Sequence, residues 1–237
     1  MPFPSYQPVG DRAVLIRYEE KIDPKVNERV RFLSEVISRQ GFSWLEETVF
    51  SYQSLLVIYH PQKIHFPEAV KAITTIEQGL QTVLSRTPDT YEIPTVYGGL
   101  YGPDLVRVSE ITGLSPGEVI ELYSSTTFTI YFLGFLCAQP YLGGLPDRLH
   151  VPRLDNPRLH MPAGSVGIGG IQASLLTIDQ PSGHNFIGRT FLSLYDPMQM
   201  PPTVLKPGDQ VIYTPSVEKR IPEFRGRFPV KKGRGSG

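Results

Sequence analysis

The placement of proline and glycine constrains this chain more than any other feature. Residues 91–237 hold 16 prolines and 19 glycines, whereas residues 1–90 hold 7 and 3. The second stretch thus carries roughly twice the ordinary share of about 12% for the pair. With 40% apolar residues, 12 Phe and 12 Tyr, the chain is too hydrophobic to be disordered, so these residues punctuate a fold. No G-x-y period appears, which excludes collagen. The composition shift divides the chain near residue 90 into parts of different architecture.

Residues 1–90 read as alternating strands and helices. Ala13 to Ile16 is a short apolar run after Gly10-Asp11 and predicts a buried strand. Asp23 can cap a helix whose first position is Pro24, and Val26, Val30, Leu33 and Ile37 fall on one helical face. Gly41 stops it. Trp44 to Val49 and Ser54 to Tyr59 read as strands, and Pro67 opens a helix with Ala69, Ile73, Ile76, Leu80 and Val83 on one face. Tyr91 to Val96 closes the set as an edge strand, because it contains Pro94. The order βαββαβ predicts a ferredoxin-like layer with two helices on one face of a sheet.

Residues 91–125 add a connector with two short helices, Pro103 to Thr112 and a second opened by the capping box Ser115-Pro116-Gly117-Glu118. From Thr126 helical periodicity disappears. Strand-like runs recur at Phe128 to Leu133, Ser165 to Ile168, Ile171 to Ile178, Asn185 to Ile187, Phe191 to Tyr195 and Gln210 to Thr214. Residues 126–216 therefore predict an all-β barrel or compact sandwich. Residues 217–237, with 7 basic and 2 acidic side chains, read as a basic mobile tail.

Charge, cysteine and hydropathy exclude several classes. Lys+Arg 23 against Asp+Glu 23 lacks the basic excess of a nucleic-acid binder. No run of 18 uncharged apolar residues exists, so no membrane-spanning helix is expected. Met1 to Gly10 has no apolar run, so no signal peptide is expected and a cytoplasmic location is the default. Cys137 is the single cysteine, which rules out an internal disulfide, and it reads as a buried small hydrophobe. His60, His65, His150, His160 and His184 show no metal-ligand spacing, so no metal site is expected.

Gly164 to Gly170 fails both the Walker and the G-x-G-x-x-G patterns, with Gly170 and Ile171 where Lys and Ser/Thr belong. Two readings stay open: a tight turn in a β domain, or backbone approaching a ligand. Residues 91–216 contain few cations, and Arg153, Arg158 and Arg189 all sit on proline- or glycine-stiffened loops. Each can clamp a carboxylate or hold loop carbonyls. Gln172 can be a neutral amide partner or a strand hydrogen bonder.

These segments in order resemble the family of KipI and the 5-oxoprolinase B-type subunits, also called allophanate hydrolase subunit 1. The matching motifs include Gly10-Asp11-Arg12-Ala13, Pro94-Thr95-Val96-Tyr97-Gly98-Gly99, Pro140-Tyr141-Leu142-Gly143-Gly144-Leu145, Val151-Pro152-Arg153-Leu154, Pro162-Ala163-Gly164-Ser165-Val166-Gly167-Ile168 and Ile187-Gly188-Arg189-Thr190. The resemblance implies an N-terminal α/β domain joined to a cyclophilin-like β-barrel. It further implies the A-type and the homologous C-type subunits of 5-oxoprolinase as partners, with ATP driving the opening of 5-oxoproline to glutamate. ATP is placed on this chain or on a partner. KipI itself implies a different partner, a sensor histidine kinase. The expected ligand or partner pocket comprises Phe135, Tyr141, Gly143, Gly144, Arg153, Arg158, Gly164, Ser165, Gly169, Gly170, Gln172 and Arg189, with no catalytic residue assigned. The sequence departs from the family pattern at Cys137-Ala138-Gln139, at Gly169 to Ser174, at Ser182-Gly183-His184 and at Tyr123, which predicts a retained fold with an altered pocket.

Overall fold

The computed structural model describes residues 4–18, 22–80, 87–134 and 136–232. Contacts divide the chain into two units, Met1–Thr87 and Pro88–Gly237. No described helix is long and apolar enough to cross a membrane.

The first unit is a four-stranded antiparallel sheet with two helices. Its elements are β1 (Ser5–Val9), β2 (Ala13–Arg17), α1 (Pro24–Arg39), β3 (Leu45–Phe50), β4 (Ser54–Tyr59) and α2 (Phe66–Gly79). The sheet order is β1-β2-β4-β3. Asp23 caps α1, its Oδ1 accepting from the Lys25 N–H at 2.7 Å. Glu68 accepts from the His65 N–H at 3.0 Å and so secures the start of α2. Val30, Leu33 and Ile37 of α1 and Ala69 and Ile73 of α2 pack on Val14, Ile16, Leu55 and Val57 of the sheet. The stripes that spacing predicts are the buried ones; Val83 lies outside the described residues.

One polar group is built into this core. Glu77 of α2 is buried and accepts from the Tyr18 hydroxyl at 2.5 Å, from the Tyr6 hydroxyl, and from Arg29 at 3.3 Å. Burial first, and the Glu77 carboxylate second, push the Tyr6 phenol up to about 12 and the Tyr18 phenol higher still.

The expected βαββαβ order is corrected to ββαββα. Ser5–Val9 forms an edge strand although it contains Pro8, since an edge does not need every N–H. The strand at residues 90–97 belongs instead to the sheet of the second unit.

The second unit contains β5 (Thr90–Tyr97), α3 (Leu105–Thr112), α4 (Pro116–Ser124), β6 (Thr127–Gly134), β7 (Gln139–Gly143), β8 (Arg158–Met161), β9 (Ser165–Gly169), β10 (Gln172–Leu175), β11 (Gln180–Ser182), β12 (Asn185–Arg189), β13 (Gln210–Ser216), α5 (Ile221–Phe224) and β14 (Val230–Lys231). Seven strands in the order β12-β9-β10-β7-β6-β13-β5 close into a barrel through β12–β5 pairing, and β14 attaches to β5. The α+β class with a barrel is therefore as expected. The β13–β5 pair is parallel, while its neighbours in the barrel are antiparallel. Pro94 is not on an edge: it sits between the part of β5 paired with β14 and the part paired with β12, beside a gap in the ladder.

The barrel core is set by strand alternation. Ile130, Leu142, Val166, Ile168, Ala173, Leu175 and Ile187 face the core. Tyr123 of α4 joins it, its ring 4.9 Å from Phe128 and 5.1 Å from Tyr213. The capping box forms as read, with Glu118 accepting from the Ser115 N–H at 2.8 Å.

Three further expectations are corrected. Phe191 to Tyr195 is no strand; Phe191 packs instead against Ile221 and Phe224. Residues 217–232 are not a loose tail, because α5 buries both of those side chains and β14 pairs with β5. The pairing leaves Lys231 Nζ 2.8 Å from Asp89, so charge as well as ladder bonds fastens it. Cys137 is half-buried rather than in the core, in a turn where it and Ala138 adopt positive φ of 42° and 59°.

Candidate functional site

The same alternation that points Val166, Ile168, Ala173 and Leu175 inward turns Gly167, Gly169, Gln172 and Ser174 outward, onto the outside of the barrel wall. On this outer face β8 and β11 pair as a separate two-stranded flap. Met161, Leu176 and Phe186 form a small apolar cluster of their own. Beside the flap lies a cavity of about 260 Å³, lined by polar side chains from β7, β10, β11 and two loops.

Arg153 comes from the loop after Val151, which bridges to Gly170. Its guanidinium donates to Gln172 Oε1 at 3.0 Å. Gln180 Nε2 donates to Gln139 Oε1 at 2.7 Å across the buried end of the cavity. Tyr141 stacks on Phe132 at 4.3 Å and presents an edge to the cavity, with burial raising its phenol. His184 completes the wall. Burial first, and Arg153 second, lower its imidazole to about 4, so it is neutral at physiological pH.

Gly169 makes room for that ring. A Cβ there would stand 2.1 Å from His184 Cδ2. The loop bearing the ring is tied by the Leu154 N–H donating to the Gly183 carbonyl at 2.8 Å.

The expected site residues do not all meet. Tyr141, Arg153 and Gln172 line the cavity, and Gly169 supports it from beneath His184. Gly143 and Gly144 end β7, where a Cβ on Gly143 would strike the Tyr131 ring. Gly164 and Ser165 open β9, and the Ser165 hydroxyl donates to the Pro162 carbonyl at 2.7 Å. Gly170 forms the bridge to Val151. Phe135 lies outside the described residues.

The three arginines separate. Arg158 donates to both oxygens of buried Asp104, at 2.8 and 2.6 Å, and with Arg107 lines a different cavity of about 270 Å³. Arg189 donates to the Ala163 carbonyl at 2.9 Å and lies over the Phe191 ring at 4.9 Å. Only Arg153 of the three lines the polar cavity. The glycine run is strand, not cradle: β9 is paired on both sides, by β10 and β12. This strand therefore lacks the row of unpaired N–H groups that a triphosphate requires.

Gln139, Gln180 and His184 line the cavity although none is among the expected pocket residues. Two of them, Gln139 and His184, fall where the chain departs from the family pattern, and that was the available signal.

The comparisons with known proteins bear on this site as a whole. Residues 4–205 match the family described as "Carboxyltransferase domain, subdomain C and D". The B subunit of 5-oxoprolinase from Bacillus subtilis (strain 168) is 36% identical over 221 residues, spanning 89% of this chain and 92% of that protein. The chain belongs to the family of 5-oxoprolinase B subunits. Among solved structures, PH0987 from Pyrococcus horikoshii is 40% identical with a TM-score of 0.55, covering 92% of this chain and 100% of that one. TTHA0988 is 28% identical with a TM-score of 0.75, covering 87% of this chain but 40% of that longer one. Family membership spans both units, so the outer-face cavity lies inside the matched region.

Proposed function

We propose that this chain is the B component of a 5-oxoprolinase-type assembly and works with the A component and the homologous C component on 5-oxoproline. The observation that carries the reading is the cavity of a family member that sets one guanidinium beside a group of neutral amides. A small anionic lactam matches that chemistry: its carboxylate against Arg153, its amide toward the glutamines.

The chemical obstacle is the stability of the ring amide, and ATP supplies activation by phosphorylating its carbonyl so that water can attack. This chain's share is positional. Arg153 holds the carboxylate, the Gln172 oxygen steadies the guanidinium, and the apolar cluster of Met161, Leu176 and Phe186 keeps solvent from one side of the flap. In this reading ATP belongs to a partner chain, because β9 offers no phosphate cradle here.

The test is reconstitution with the A and C components, reading glutamate release that depends on ATP and 5-oxoproline. Arg153→Ala is expected to raise KM about 10- to 100-fold, the worth of one charge-assisted hydrogen-bond pair. Absence of turnover with intact partners, or an unaltered KM in the variant, overturns the reading.

A second reading, KipI-like inhibition of a sensor histidine kinase, draws support from Gln139 and His184, where the cavity departs from the family pattern. It predicts reduced autophosphorylation when the purified chain is added to the kinase.

A further inference from the structure

Two residues that line the cavity each hold a buried polar atom that the protein itself leaves unanswered. Gln180 is 5% exposed; its Nε2 is used on Gln139, while its Oε1 is buried with no hydrogen-bond partner. His184 Nδ1 is buried and unpartnered in the same way. A buried polar atom without a partner costs about 1–3 kcal/mol, and folded proteins keep few of them. Two of them on residues that line one cavity beside a guanidinium mark the place where a ligand supplies what is missing.

What is missing has a definite polarity. A carboxamide oxygen only accepts, and a neutral imidazole retains one acceptor nitrogen. The Gln180 oxygen therefore asks for a donor, whereas His184 Nδ1 donates or accepts according to its tautomer. Arg153 asks for the opposite, an acceptor with negative charge. A ligand that answers Gln180 and Arg153 together carries an N–H close to an anionic group.

We propose that Gln180 is a specificity-determining residue of this cavity, its Oε1 accepting from the ring N–H of a cyclic amide whose carboxylate lies against Arg153. The identity of that amide rests on the 5-oxoprolinase reading above; the demand for a donor does not. A site built to bond an N–H discriminates strongly against an analogue that lacks it, because its own acceptors are then buried unpaired. Shape alone does not separate a lactam from the lactone in which oxygen replaces N–H, so the difference between the two isolates this acceptor.

The experiment measures binding of 5-oxoproline and of its lactone counterpart to the full chain, alone and in the assembled complex, by calorimetry. The lactam is expected to bind at least about fivefold more tightly, which corresponds to the lower end of the cost of one unpaired buried group. Gln180→Leu should bring the ratio close to one, and Gln180→Glu, which retains an acceptor, should preserve the preference. Equal affinity for the two ligands, or binding of neither in both settings, overturns the proposal. If Gln180→Leu does not fold, the ligand pair on the unaltered chain still decides. Turnover of 5-oxoproline with equal lactam and lactone affinity sinks this inference and leaves the 5-oxoprolinase reading intact. Selective lactam binding without turnover does the reverse.

Discussion

Gly169 has no side chain because the His184 ring occupies the place where one would go. Gly169→Ala should push that ring toward solvent. Solvation removes the larger of the two causes that hold its pKa near 4, so the value is expected to climb toward the ordinary 6.5. Imidazole proton shifts followed by NMR titration would show this, and a ring in the variant still titrating near 4 would refute it. The unaltered protein makes a linked prediction. Between pH 6.5 and about 4 the unfolded chain binds a proton at His184 and the folded one does not, so this residue's contribution to stability falls as pH drops through that window. At this scale the sequence shows which loops are stiffened and that Arg153 is a scarce cation. It does not show that a histidine and two glutamines share its cavity, because they come from strands and loops brought together only by barrel closure.

Asp104 joins three elements at one point. It precedes α3, accepts twice from Arg158 at the start of β8, and accepts from the Phe186 N–H of β12 at 2.8 Å. Asp104→Asn keeps the shape but removes the charge and one acceptor. Arg158 is about one-third exposed, so water screens part of the loss. The expected destabilisation is about 2 kcal/mol, read as a lower urea midpoint with unchanged slope. An unchanged midpoint would show that the pair contributes nothing. From its loop alone Arg158 reads as a ligand clamp or a loop anchor, and the structure pairs it with the carboxylate of Asp104. The same limit explains the strand at 90–97. Its residues announce a strand with a proline, but a strand's pattern does not name its neighbour. The ladder chose β13, β14 and β12, with Pro94 at the gap between the last two. Helix starts are far more legible, at Asp23 and Ser115, because a cap is satisfied within a few residues.

For the whole molecule, the segment after Ser216 is the clearest test. Ile221 and Phe224 are buried against Val96 and Phe191, and β14 lengthens the wall beside β5. Deleting residues 217–237 removes both side chains and uncovers Val96 and Phe191 beneath them, at a cost of about 1.5–3 kcal/mol for each buried side chain lost. The melting transition of the second unit should fall by on the order of 10 °C, with that of the first unit unchanged. Calorimetry separates the two; a drop confined to the first unit, or no drop, contradicts the packing.

The sequence by itself determined where helices start and stop, which side of each strand is apolar, and that a Pro- and Gly-rich β unit follows an ordinary α/β one. Those properties are local, set by backbone donors, φ preferences and the periods of strand and helix. Only the tertiary structure decided that β12 closes on β5, that residues 217–232 fasten the wall, and that one arginine of three reaches the polar cavity. Ladder hydrogen bonds are made by backbone groups that are alike in almost every residue. Pairing therefore leaves little trace in the sequence until packing selects among the alternatives.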